Sequence, residues 1–137
     1  MKEFLNKWLW LDLLFYKDEF QEINKLNFVH PMDVELFKKN PTNSLYECIG
    51  VEGEYLQIKN KNHQYRVKKE AIKQIMPAPK FKWGDKVILI SKPGLEAIVD
   101  DFFWHHKGEN YYFNLIVGGK KKSNRYSEGE LMIMNEL

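Results

Sequence analysis

Phe81-Lys82-Trp83-Gly84-Asp85-Lys86-Val87 is the stretch on which the fold turns. A Gly-Asp turn opens directly onto an apolar run. Further short apolar or alternating stretches follow, separated by Gly, Asn and Lys turns and ending at Leu131-Met132-Ile133-Met134. This pattern predicts strands over Lys86 to Ile90, Glu96 to Trp104 (long and bent), Tyr111 to Val117, Lys120 to Tyr126 and Leu131 to Met134. Pro93-Gly94 falls in the first loop and Lys107-Gly108-Glu109-Asn110 in the second turn, while Gly118-Gly119 forms a two-residue hairpin turn that tolerates positive φ. Ser127-Glu128-Gly129-Glu130 has the length of one tight helical turn. The cadence is that of a small five-stranded barrel, an architecture that usually binds rather than catalyses.

Trp83-Gly84-Asp85-Lys86-Val87, then Gly94, two central hairpins and a one-turn connector before a short last strand, resembles an SH3-like barrel of the KOW or Tudor kind. The resemblance covers about residues 81–134. It implies a fold and assigns no functional residue.

Working towards the N-terminus, Pro77-Ala78-Pro79 makes a stiff, extended joint. Residues 44–76 before it read as a small β unit, with strands at Leu45 to Val51, Glu54 to Lys59, Gln64 to Lys68 and Ile72 to Met76. Tyr55 to Met76 runs parallel to Tyr112 to Met134: each is a hairpin, a charged connector and a short apolar strand. A tandem pair of degenerate barrels is one outcome of that echo, and chance likeness of two hairpins is the other.

Residues 1–43 read as helical. Phe4, Trp8, Leu11 and Phe15 recur at helical spacing, and Leu5, Leu9 and Trp10 widen the apolar arc until it nearly encircles the segment. A second, shorter helix is expected with Pro31 early in it, Asp33 and Glu35 at its positive end, Lys38-Lys39 at its negative end and Asn40-Pro41 as its stop. The expected organisation is therefore mainly β with a helical N-terminal part: 1–43 helical, 44–76 a small β unit, 77–80 a Pro-rich joint and 81–137 an SH3-like barrel.

With 44% apolar and 15% aromatic residues in 137, a packed core is within reach. A net charge of +2 demands no polyanionic partner, so any nucleic-acid reading rests on a local patch. The single cysteine, Cys48, cannot form an internal disulfide, and Asn40-Pro41-Thr42 is barred by its proline from being a glycosylation acceptor; both suit the cytoplasm. Trp8 to Tyr16 looks like the apolar centre of a signal peptide, but Glu3 precedes it, Asp12 interrupts it and Lys17-Asp18-Glu19 follows. The run is also far short of the ~20 residues that cross a bilayer, so no membrane role is expected.

Asp100-Asp101 and His105-His106 form the densest titratable cluster. Alternation puts Asp101, Phe103 and His105 on one face and Asp100, Phe102, Trp104 and His106 on the other. No His-Glu-x-x-His or paired Cys-x-x-Cys accompanies them, so no metal or cofactor is called for, and the histidines read as caps on a strand end. Cys48, between Tyr46 and Gly50, reads as a small core hydrophobe rather than a nucleophile. Neither a nucleophile elbow nor a phosphate-binding glycine loop is present, and an enzyme is not expected.

Lys120-Lys121-Lys122 with Arg125 is the strongest local basic run. With Trp104, Tyr111, Tyr112 and Tyr126 nearby it has the makings of a phosphate-and-base site, although lysines on an edge strand also deter aggregation. Trp83, Trp104, Tyr112 and Tyr126 are the rings from which a methyl-ammonium cage would be built. The expected contact face comprises Trp104, His105, Tyr112, Lys120, Lys121, Lys122, Arg125 and Tyr126. The expected function is non-catalytic binding of another protein, as in a small bacterial immunity or antitoxin-like protein. Nucleic-acid binding through the hairpin at 120–126 is the alternative.

Overall fold

The computed structural model describes residues 1–11, 27–39 and 45–134 of the chain. These divide into two compact units, Met1–Ala78 and Pro79–Leu137.

In the first unit a 3-10 turn at Lys2–Phe4 leads into β1 (Trp8–Leu11), and the short helix α1 (Val34–Lys39) follows. Then come β2 (Leu45–Glu52), β3 (Tyr55–Lys59), β4 (Gln64–Lys68), a 3-10 turn at Lys69–Ala71 and β5 (Ile72–Met76). All pairings are antiparallel and the sheet order is β4-β3-β2-β1-β5, which places β1 between β2 and β5.

This corrects the expectation of a helical N-terminal part. Where a helix through Phe4, Trp8 and Leu11 was indicated, the chain makes one 3-10 turn and then a strand; Phe15 and the Asn40-Pro41 stop lie outside the described residues. The fold is two antiparallel five-stranded sheets with, among the described residues, a single α-helix. The physical reason is that a short run apolar on every side suits a strand flanked on both edges as well as it suits a buried helix. Leu9 and Leu11 are buried in the core with Tyr46 and Cys48, Trp8 is buried and Trp10 partly so. Asn6, at φ 65°, turns the chain out of the 3-10 turn; its N–H donates to the Cys48 carbonyl and the Lys7 carbonyl accepts from the Cys48 N–H, which starts the ladder.

Pro31 lies in the turn before α1 rather than inside it, and the Asp33 carbonyl accepts the first helical bond, from the Phe37 N–H at 2.9 Å. The segment 28–33 then covers the outer edge of β4. Lys68 N–H donates to the Phe28 carbonyl and His30 N–H to the Arg66 carbonyl, each at 2.8 Å, and Val29 bridges Val67 antiparallel. Asp33 completes the tether: its carboxylate accepts the Arg66 backbone N–H at 2.8 Å and two guanidinium bonds at 2.9 and 3.0 Å. Phe37 and Tyr46 meet the Tyr65 ring edge to face inside the core.

The second unit contains β6 (Lys86–Leu89), β7 (Lys92–His105), β8 (Asn110–Val117), β9 (Lys120–Ser127), a 3-10 turn at Glu128–Glu130 and β10 (Leu131–Ile133). Its order, β10-β6-β7-β8-β9, repeats that of the first unit strand for strand, with a 3-10 turn before the last strand in both. The Trp83-Gly84-Asp85 entry is a turn because Gly84 sits at φ 84° and the Asp85 carboxylate accepts the Lys82 N–H at 2.8 Å. Gly118 and Gly119, at φ 58° and 78°, make the tight β8–β9 hairpin. Pro93-Gly94, expected in a loop, instead lies inside β7, where the register with β6 slips. Phe81, Phe102, Tyr111 and Phe113 fill the core.

Leu9→Ala, which empties a fully buried site on a central strand, is expected to cost the first unit about 2–5 kcal/mol in urea unfolding. Arg66 holds the Asp33 carboxyl below the ordinary carboxylate range, chiefly by hydrogen bonding. The stability this supplies is complete above the unfolded-state pKa and is lost as pH falls through the lowered folded value. The melting temperature of the native chain should therefore exceed that of Asp33→Asn at neutral pH and converge on it as pH falls through the lowered Asp33 pKa; a gap independent of pH would refute the role given to this pair.

Candidate functional site

Strand alternation sorts the predicted contact residues onto two faces of the second sheet. Phe103 pairs with Tyr112 and His105 with Asn110 across β7 and β8, while Asn114 pairs with Arg125 and Tyr112 with Ser127 across β8 and β9. Phe103, His105, Tyr112 and Arg125 therefore share the outer face. The intervening positions, Trp104 against Tyr111 and Phe113 against Tyr126, belong to the core side. Trp104 and Tyr126 are both partly buried there, and Trp104 meets Tyr111 edge to face at 5.0 Å.

The outer strip is built from rings and one cation. Phe103 and Tyr112 lie 6.2 Å apart, and His105 meets Tyr112 edge to face at 5.4 Å. The exposed Arg125 places its guanidinium carbon 5.6 Å from both the Phe103 and Tyr112 ring centroids. Such cation–π contacts contribute about 0.5–1 kcal/mol each at exposed sites and orient the planar group. Among the described residues Arg125 makes no ion pair, so its donors remain available to a ligand.

Lys120, Lys121 and Lys122 stand exposed at the hairpin end of β9, away from this strip. One reason is a register shift between Asn114 and Ile116, which inserts extra residues into β9 between Lys121 and Arg125. A second irregularity, between Val99 and Asp101, puts Asp100 3.9 Å from the Lys121 ammonium. Alternation alone had set Asp100 apart from Asp101 but could not foresee this contact.

The acidic and histidine cluster has local structural tasks. The Asp101 carboxylate accepts the Trp83 indole N–H at 2.9 Å and the Phe102 N–H at 2.8 Å, while Trp83 stacks on Phe102 at 4.6 Å. His105 Nδ1 accepts the Gly108 N–H at 3.0 Å and closes the β7–β8 turn. Trp104 and Tyr126 lie on the core side and Tyr112 on the other, so these rings of a methyl-ammonium cage do not converge. Cys48 is fully buried, and burial pushes its thiol up. Burial likewise raises the Tyr111 phenol. Among the described residues no three His, Cys, Asp or Glu side chains are placed to hold a metal, and no helix is long and apolar enough to cross a membrane.

Residues 17–132 match a family of unknown function, DUF6960. The chain belongs to that family. The match spans parts of both units, from before α1 into β10. Neither the curated proteins nor the solved structures contain a match to the chain.

Clefts among the described residues lie elsewhere. In the first unit one of about 470 Å³ is lined by Met1, Asn27, Phe28, Glu54 and Lys68 to Glu70, with charges of both signs, and one of about 350 Å³ lies around Asp33, Glu52, Gln57, Gln64 and Arg66. In the second unit one of about 240 Å³ lies between Lys86, Glu96, Ile98, Ile116 and Met134. Phe103 was absent from the sequence-derived contact set; its period-two relation to His105 was the signal available.

Phe113→Ala is expected to cost about 3–5 kcal/mol in chemical denaturation, whereas Tyr112→Ala, one residue away on the outer face, should cost about 1 kcal/mol. Equal losses would mean that the outer strip is structural.

Proposed function

We propose that this protein acts in the cytoplasm as a non-catalytic binding module for another protein, using the outer face of its second sheet. The observation that carries this reading is the strip Phe103–His105–Tyr112–Arg125: partly buried rings flank an exposed guanidinium that has no ion-pair partner among the described residues. Rings and arginine are the side chains that dominate binding energy at protein interfaces, because they offer large apolar area with directional donors. The strand order of the second unit, with its last strand beside its first and a one-turn connector before it, supports the resemblance to an SH3-like barrel. An immunity- or antitoxin-like protein that blocks the active site of a toxin is one form such a module takes.

Nucleic-acid binding is the second reading, favoured by the exposed Lys120, Lys121 and Lys122. Two features weigh against it. Asp100 faces Lys121, and the register shift separates the lysines from the ring strip on which bases would stack.

Affinity purification of the tagged full chain from its native cells discriminates the two. A protein partner retained by the native chain and lost with Tyr112→Ala and Arg125→Ala supports the first reading. No partner sensitive to either change, together with oligonucleotide affinity that falls steeply with salt and with alanine at Lys120 to Lys122, would transfer the function to the second.

A further inference from the structure

The two sheets share one strand order, and their fourth strands can be aligned residue by residue from the 3-10 turn that follows each. Lys68 and Ser127 immediately precede those turns, so Val67 corresponds to Tyr126 and Arg66 to Arg125. The hairpin partners agree. Tyr55 lies opposite Lys68 and Gln57 opposite Arg66, while Tyr112 lies opposite Ser127 and Asn114 opposite Arg125. Arg66 and Arg125 are therefore equivalent positions on equivalent edge strands.

β9 carries a register shift before Arg125 that β4 lacks before Arg66, and the two edges are also covered differently. In the first unit the edge is occupied by residues 28–33 of the same chain. The His30 N–H donates to the Arg66 carbonyl, and Asp33 takes both the Arg66 backbone N–H and its guanidinium. In the second unit β9 pairs only with β8 among the described residues, and Arg125 has neither a covering strand nor a carboxylate.

Resting on the protein-binding reading above, we infer that Arg125 and the β9 edge receive an extended segment of a partner protein carrying a carboxylate, in the manner in which Arg66 and β4 receive residues 28–33. Charge complementarity selects that occupant. Arg125, Lys120, Lys121 and Lys122 all lie on β9. A second copy pairing edge to edge would set these cations against their own equivalents, whereas an acidic segment meets them with opposite charge. The guanidinium is held over the Phe103 and Tyr112 rings, so its fork is oriented before a ligand arrives.

The equivalence also limits the contact. The Ser127 N–H, counterpart of the Lys68 N–H that bonds Phe28, already donates to the Glu130 carboxylate at 3.1 Å. The partner is therefore gripped at Arg125 and towards Lys120, and not past Ser127. His105 already occupies a ring contact on Tyr112 comparable to the one His30 brings to Tyr55 at 4.7 Å. What the partner must supply is a backbone N–H for the Arg125 carbonyl and, as Asp33 lies beyond His30, a carboxylate a few residues further along.

A labelled synthetic peptide of residues 27–36, Asn-Phe-Val-His-Pro-Met-Asp-Val-Glu-Leu, is the probe, used with the full chain. Saturable binding read by anisotropy is expected, with the Arg125 amide gaining protection from hydrogen exchange. Replacing the peptide aspartate by asparagine should weaken binding to the native chain about tenfold and leave binding to Arg125→Gln unchanged. Several results would overturn the inference: no binding, binding indifferent to the aspartate, protection confined to the first unit, displacement of the peptide by a single-stranded oligonucleotide, or an Arg125 amide already protected in a dimer of the free chain. A native partner still lost with Tyr112→Ala while the peptide fails would sink this inference and leave the broader binding reading standing.

Discussion

A five-stranded antiparallel sheet has two edges, and the N–H and C=O groups along them must find water, a side chain or another stretch of chain. Much of this protein is organised by how that requirement is met. In the first unit the β4 edge is closed by residues 28–33, locked by the Asp33–Arg66 pair. In the second, β9 carries Lys120, Lys121, Lys122 and Arg125, and its last outward N–H at Ser127 is capped by Glu130. One strand order, built twice, thus treats the same edge in two ways: one is covered from within, and the other is covered by no strand among the described residues and carries four cations.

Alternation decides what each strand offers. Along β8, and along β7 from Asp101 onward, every second side chain enters a core of Phe102, Tyr111 and Phe113, and those between form the outer strip. A methyl-ammonium cage from Trp83, Trp104, Tyr112 and Tyr126 is not assembled by this alternation, since Tyr112 faces away from Trp104 and Tyr126. The same rule unites His105, Tyr112 and Arg125, and adds Phe103.

Most strands were legible in the sequence because their chemistry is local. Gly118-Gly119 supplies two positive φ angles, Gly84-Asp85 supplies a turn with its own cap, and period-two stretches such as Tyr55 to Lys59 admit one register. The N-terminal run was not legible. Trp8 to Leu11 is apolar at every position, so its periodicity is silent between helix and strand, and only insertion between β2 and β5 makes it a strand. Of the candidate site, the residue types and their stretch of chain were visible. The bulges that set Asp100 beside Lys121 and part the lysines from Arg125 were not, because a bulge depends on how the neighbouring strand pairs.

By itself the sequence determined most strands and hairpin turns, though not β1 or the course of β7 through Pro93-Gly94, that the second half of each unit shares one pattern, and that rings and cations gather between residues 103 and 126. These follow from backbone preferences and side-chain spacing, which act within a few residues. Tertiary structure alone decided that β1 joins the sheet and that Asp33 reaches across to Arg66. It likewise decided which ring faces the core and which edge residues 28–33 cover. Each of these is settled by pairing between residues far apart in the chain, and local preference carries no information about that pairing.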